Sequence, residues 1–261
     1  MIYQTFTKAW KNRIYPATQN YCAMHWLTIA TGLIMLWLIS PSCKKVDGHG
    51  PIQTESRNEK NFTAIDYRLS GKAIITTGAD YSITIEAQRN VLEAIETSVN
   101  NGKLNIKPES GKRIGEEDIT VHITMPSVAG LYTGGIGSME VHNDGFTTNG
   151  TLNLGVSGAG SISIDNATAN RVEAEISGSG DIKLLGGKSN SQKFSISGAG
   201  NMEAANHISK TSEIKISGSG EAKVNVLDYL KANLSGSGTI YYRGTPQIES
   251  HTSGAGKVVK L

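Results

Sequence analysis

From residue 151 to the end of the chain, apolar and polar side chains alternate in short runs that restart at a near-constant interval. Val172, Ala174 and Ile176 fall on one face of such a run, with Arg171, Glu173 and Glu175 on the other. Ile182 and Leu184 resume the alternation after a break, and the runs 193–196, 213–216, 221–226 and 231–234 repeat it. A period of two marks half-buried β-strands. The breaks share one tetrapeptide: Ser157-Gly158-Ala159-Gly160, Ser177-Gly178-Ser179-Gly180, Ser197-Gly198-Ala199-Gly200, Ser217-Gly218-Ser219-Gly220, Ser235-Gly236-Ser237-Gly238 and Ser253-Gly254-Ala255-Gly256. Successive copies lie 20, 20, 20, 18 and 18 residues apart, and Gly135-Ile136-Gly137 reads as a degenerate earlier copy. Each repeat is therefore a strand, a glycine corner, a second strand and a loop of variable sequence.

One repeat cannot bury its apolar face alone. Stacked repeats can, because each strand pairs with its equivalent in the next coil. The expected fold is all-β, a β-solenoid with coils about 4.8 Å apart. Hairpin meanders fit less well, since they would alternate turn types where this chain returns the same tetrapeptide. Glycine suits a corner that needs positive φ or close backbone approach. Serine and the small third residue let corners stack, and the serine hydroxyls are expected to hydrogen-bond along the stack. Charge follows the same period. Glu173, Lys193, Glu213 and Lys231 stand four residues before the motif serines, and Lys183, Glu203 and Lys223 stand six after. Stacking places opposite charges side by side, each pair contributing roughly 0.2–1 kcal/mol. Residues 62–126 read as wider early coils or a strand-rich cap, with a polar loop at 112–118. Lys257 and Lys260 guard the last edge against pairing with another chain.

The start of the chain is organised differently. Residues 1–20 are polar, residues 25–40 almost wholly apolar, and Pro41-Ser42-Cys43-Lys44-Lys45 follows. This is the layout of an export signal, and the apolar run is short for a bilayer span of about 20 residues. It resembles a bacterial lipoprotein signal, in which the cysteine, here Cys43, becomes the lipidated N-terminus. The Ser-Cys-Lys-Lys ending is similar to lipoproteins of Bacteroidetes-type bacteria. An ordinary signal peptide and an uncleaved anchor are the other readings, and all three place the body outside the cytoplasm. The expected division is a signal peptide over 1–42, a flexible polar tether over 43–61 and a β-helix domain over 62–261. The expected location is the cell envelope, as an outer-membrane lipoprotein on its surface or periplasmic face.

Composition narrows the chemistry. Lys8, Lys11 and Arg13 are the only charged residues before Cys43, which leaves 22 basic against 23 acidic residues in the rest. A near-neutral body without a basic, aromatic-studded patch argues against nucleic acid. Cys22 and Cys43 both precede the body, so no disulfide framework is built there. Gly155-x-x-Gly158-x-Gly160 is followed by a strand, so a phosphate would find no helix N-terminus. The residue after the second motif glycine is Ser161, Asp181, Asn201, Glu221, Thr239 or Lys257, which no recurrent calcium ligand position tolerates. His122, His142, His207 and His251 are scattered without metal-ligand spacing. The outward carboxylates are absorbed by coil-to-coil pairs, so no catalytic residue and no cofactor are expected. Tyr241, Tyr242 and Arg243 form the local aromatic–basic cluster of the late coils. One ring should face inward, and the outward ring with Arg243 is a candidate ligand contact, or else part of the turn at Gly244-Thr245-Pro246.

These residues carry a family resemblance. The repeated unit of 176–184, Ile-Ser-Gly-Ser-Gly-Asp-Ile-Lys-Leu, its variants at 156–164, 196–204 and 216–224, and the ending Ile240-Tyr241-Tyr242-Arg243-Gly244-Thr245-Pro246 resemble the GIN-domain family (DUF2807). The segments 83–87, 102–106 and 121–126 are similar to its front half. The resemblance covers roughly 61–261 and implies a right-handed parallel β-helix with an adhesin-type role. Three functions stand open: an envelope-anchored adhesin or scaffold meeting a surface glycan or protein, a carbohydrate-binding or carbohydrate-cleaving β-helix, and a periplasmic sensor or assembly factor.

Overall fold

The computed structural model describes residues 43–115, 118–142 and 146–261. The leader over 1–42 lies outside the described residues. The front half contains β1 (Lys44–Val46), β2 (Ile52–Arg57), β3 (Ala64–Tyr67), β4 (Lys72–Thr77), β5 (Ser82–Gln88), the single-turn α1 (Arg89–Leu92), β6 (Ile95–Asn100), β7 (Lys103–Pro108), β8 (Lys112–Ile114) and β9 (Thr120–Met125). The repeats form β10 (Gly130–Gly135), β11 (Ser138–Val141), β12 (Phe146–Gly158), β13 (Ser161–Ile164), β14 (Ala167–Gly178), β15 (Asp181–Leu184) and β16 (Gly187–Gly198). They continue through β17 (Asn201–Gly218), β18 (Glu221–Gly236), β19 (Thr239–Arg243), β20 (Gln247–Gly254) and β21 (Lys257–Lys260).

Two parallel ladders run the length of this β-solenoid. The first stacks β7, β3, β10, β12, β14, β16 and the second halves of β17 and β18, then β20. The second stacks β9, β4, β11, β13, β15, the first halves of β17 and β18, β19 and β21. Each coil crosses from the first ladder to the second at its Ser-Gly-x-Gly. The segment expected to be a variable loop instead adds a third ladder, where 146–148, 167–169 and 187–189 pair in register. It is short and, Phe146 apart, its buried residues are small, such as Ala167, Ala169 and Ser189, so its alternation is hard to see in the sequence.

The corners continue the backbone ladder. Ser179 N–H donates to Gly158 O at 2.9 Å, and Asp181 N–H to Gly160 O at 3.1 Å. The same two bonds recur at each later corner. Gly158 has φ 121°, and a Cβ there would lie 2.6 Å from the Gly135 carbonyl oxygen. The carbonyl that accepts the next coil's N–H thus fills the space a side chain would need, and only glycine lets corners stack at strand spacing. The serines behave otherwise than expected. All six are exposed, they stand in register, and no hydrogen bond joins their hydroxyls among the described residues. Ser177→Ala and Ser217→Ala should each change unfolding free energy by less than about 0.5 kcal/mol in denaturant titration.

The charge columns stack as the spacing predicts. Glu173, Lys193, Glu213, Lys231 and Glu249 are consecutive neighbours, as are Lys183, Glu203 and Lys223. Lys231–Glu249 closes at 3.4 Å and Lys223–Glu203 at 3.2 Å. Glu173 instead takes Arg171 of its own strand at 2.6 Å. These pairs are all half-exposed and weak individually, so they favour the correct register more than they stabilise the fold.

The front half is the cap, and its coils do not stack in chain order. β3 lies between β7 and β10, and β4 between β9 and β11. After β9 the chain therefore returns past the first coil, guided by Ala129 N–H to Thr63 O at 2.7 Å. Antiparallel strands close this end: β6 lies on β7, β5 on β9 and β2 on β5. The expected tether over 43–61 is thus corrected, since β2 forms a six-residue pairing that covers the edge of β5. Both faces of β2 are largely exposed, so no apolar alternation betrays it. The expected polar loop likewise contains β8, paired with β1.

The core runs through the stack in columns such as Leu154, Ala174, Phe194, Ile214 and Ala232. The shortening from 20 to 18 residues has a local cause. β17 carries three extra residues between Ala204 and Ile208, and β18 regains one between Val226 and Tyr229, a net loss of two. His207 fills the bulge, fully buried. Its Nδ1–H donates to Gly186 O at 3.1 Å, and its Nε2 accepts the Ser189 hydroxyl at 3.2 Å. Burial pushes the imidazole pKa below its ordinary value despite the Gly186 bond. The unfolded chain then binds the proton more readily, so His207 stabilises the fold fully above about pH 6.5 and loses that contribution as pH falls. The melting temperature of the wild type should drop more between pH 7.5 and 5.5 than that of His207→Gln.

Candidate functional site

On the outward side of the first ladder, a groove of about 970 Å³ crosses β7, β3, β10, β12, β14 and β16. Its floor exists because two outward strand positions carry no side chain. Gly134 pairs with Ser157 and Gly135 with Gly158, so 134–137 is a complete corner with glycine in the serine's place. Gly155 pairs with Tyr132 on one side and Glu175 on the other. Neither Gly134 nor Gly155 is among the positive-φ residues. At Gly155 a Cβ would lie 2.7 Å from Tyr132 Cδ1, so this glycine makes room for the ring. At Gly134 the nearest atom to a Cβ is Arg68 Cγ at 3.8 Å, ordinary van der Waals contact. A side chain fits there, yet the position is glycine, which leaves this outward face open to close approach.

The walls are polar. Arg68 grips Asp66 through Nε at 3.0 and 3.2 Å and Nη2 at 2.8 Å. The Lys103 ammonium lies 4.1 Å from the centre of the Tyr132 ring, a cation–π contact. Burial, with Asp66 and Glu173 nearby, pushes the Tyr132 phenol pKa up, so its hydroxyl stays a donor. Glu173, Glu175, Ser177, Lys193 and Ser195 form the far side. Glu175 and Lys193 are exposed and have no ion pair among the described residues. The sequence pattern marked Gly135 as a corner and the carboxylates as ladder members. It missed Tyr132 and Gly134, whose only signal was a glycine where every later copy has serine.

The residues singled out from sequence lie elsewhere. Cys43 is exposed with a free thiol. Tyr242 packs against the core while Tyr241 stands outward between Lys223 and Val259. Arg243 donates to Ala205 O at 3.4 Å and to Asn206 Oδ1 at 3.2 Å, so it braces the β17 bulge. An exposed network joins Lys72 to Glu140 at 3.1 Å and His142 to Glu140 and Asp165 at 2.9 and 3.1 Å. Hydrogen bonding to Asp165 and then Glu140 raises the His142 pKa. Among the described residues, no group of three or more His, Cys, Asp or Glu converges as a metal site requires.

Known proteins share this architecture. A solved structure from Bacteroides fragilis named a "putative adhesin" is 25% identical, with a TM-score of 0.76 over 83% of this chain and all of that one. A solved structure from Parabacteroides distasonis named a "putative lipid binding protein" has the same fold at 22% identity and a TM-score of 0.69, over 84% of this chain and all of that one. A second Parabacteroides distasonis structure, named a "putative adhesin", gives 20% identity and a TM-score of 0.66 over the same shares. No curated protein matches the chain. The family model described as "Putative auto-transporter adhesin, head GIN domain" matches residues 61–246. With the stacked Ser-Gly-x-Gly corners inside that span, the chain belongs to the GIN-domain family.

Proposed function

We propose that this protein is a non-enzymatic adhesin of the cell envelope, exported by residues 1–42 and anchored through lipid on Cys43. The observation that carries the reading is membership of an adhesin-class family over residues 61–246, most of the stack. The Ser-Gly-x-Gly corners are structural elements on this reading, and the β-helix is right-handed, as parallel crossover connections favour. No described helix is long and apolar enough to cross a membrane. The groove carboxylates do not suit glycoside cleavage, which needs two carboxyls flanking one bond. Glu173 is held by Arg171 and Asp66 by Arg68, which leaves Glu175 as the one groove carboxylate without an ion pair among the described residues.

Labelled palmitate should enter the wild type and not Cys43→Ala. Protease added to intact cells should remove the solenoid, and producing cells should adhere to glycan- or protein-coated surfaces better than cells lacking the chain. An unlabelled wild type would remove the anchor. Full protease protection with no gain in adherence would favour a periplasmic sensor or assembly factor.

A further inference from the structure

We infer that the groove on the first ladder binds a neutral oligosaccharide, an inference that rests on the adhesion reading and gives it a ligand class. The lining residues span β7 to β16, five strand spacings or about 24 Å along the solenoid axis. That is an elongated track, open along its length, and suits a chain-like ligand.

Charge selects the ligand's character. Asp66, Glu173 and Glu175 oppose Arg68, Lys103 and Lys193 around the groove, so there is no net field to concentrate an anion or a cation. There are instead many separate donors and acceptors. Ser157, Ser177 and Ser195 add hydroxyls, each able to donate and accept. A polyhydroxylated ligand without charge satisfies such a surface best. Its hydroxyls donate to Glu175 and accept from Lys193, exposed lip charges without ion pairs among the described residues. Tyr132 supplies the apolar element. A sugar's C–H face packs on the ring, and the half-buried Lys103 swings from the ring to a ligand hydroxyl.

A peptide fits this place poorly. The floor is the face of a sheet, and its backbone groups are already paired with strands on both sides. β-Strand addition needs a free edge, and the walls offer few apolar pockets for side chains. Gly134 completes the case. A side chain would fit sterically and would strengthen the strand, so its absence weakens β10 while keeping the floor clear.

The test uses the full chain in detergent with two sets of immobilised probes: neutral cello-, malto-, manno- and N-acetylglucosamine oligomers, and anionic oligogalacturonate and heparin fragments. Binding to one or more neutral oligomers is expected, with little to the anionic set. Gly134→Leu, which fills the floor, should weaken binding at least tenfold with the melting temperature unchanged or raised. Tyr132→Ala should also weaken it, and Lys183→Ala, on the second ladder, should bind like wild type. Undiminished binding by a folded Gly134→Leu would overturn the inference, as would preference for the anionic probes or silence across both sets. If Gly134→Leu cells adhere as well as wild type, the groove assignment falls and the adhesion reading stands. If wild-type cells do not adhere at all, the adhesion reading itself falls.

Discussion

Gly198→Ala is expected to destabilise the protein by about 3 kcal/mol, well beyond the effect of an ordinary surface substitution. Gly198 is only half-buried, so the loss does not come from burial. Its φ is +127°, a region L-residues rarely adopt, and the added Cβ would overlap the Gly178 carbonyl oxygen. That oxygen already accepts Ala199 N–H at 2.9 Å. Relief requires either that the corner opens, losing this bond, or that the neighbouring coil shifts. The backbone conformation alone accounts for about 1–3 kcal/mol. Ser197→Ala, one residue away, should be nearly silent. Urea unfolding of the two variants reads the contrast directly. Equal effects would mean that the tetrapeptide's first residue, and not its glycine, holds the stack.

Phe194→Ala should cost about 3–5 kcal/mol through the cavity it leaves. Phe194 is 1% exposed and sits between Ala174 and Ile214 in its column. Ala174 is too small to reach into the space, and the coils are fixed by their hydrogen bonds, so collapse is limited. Each coil of a solenoid contacts mainly its neighbours. Amide exchange should therefore accelerate first in β14, β16 and β17, with β3 and β4 protected longest. Uniform acceleration through the whole molecule would show that the stack unfolds as one unit.

Legibility followed periodicity. The stack could be read because each coil repeats one alternation and one corner, so register, charge columns and the 20-to-18 step were all visible as spacings. The cap was not. β2 is exposed on both faces and β6 pairs antiparallel outside the repeat, so neither carries a period. The crossing from β9 back past β3 depends on which edge is free when β10 forms, a matter of assembly that composition does not encode. The third ladder was hidden because its inward side chains after Phe146 are small or polar, and because β17 and β18 run through its corner without a break. The groove was hidden for another reason. Gly134 looked like part of a decayed corner, whereas its meaning comes from Tyr132 and Gly155 on the same outward face. Only the stacking of β10 on β12 brings these together. Tyr241 and Arg243 attracted notice as neighbours in sequence, but one stands outward alone and the other braces a bulge.

The most direct measurement is long incubation of the full chain with the neutral oligosaccharides it retains, followed by sizing of the sugars and assay of new reducing ends. A lectin-like adhesin should return every oligosaccharide at its original length, with binding lost in Gly134→Leu. Shortened products that disappear in Glu173→Gln or Glu175→Gln would contradict it and make the groove an active site.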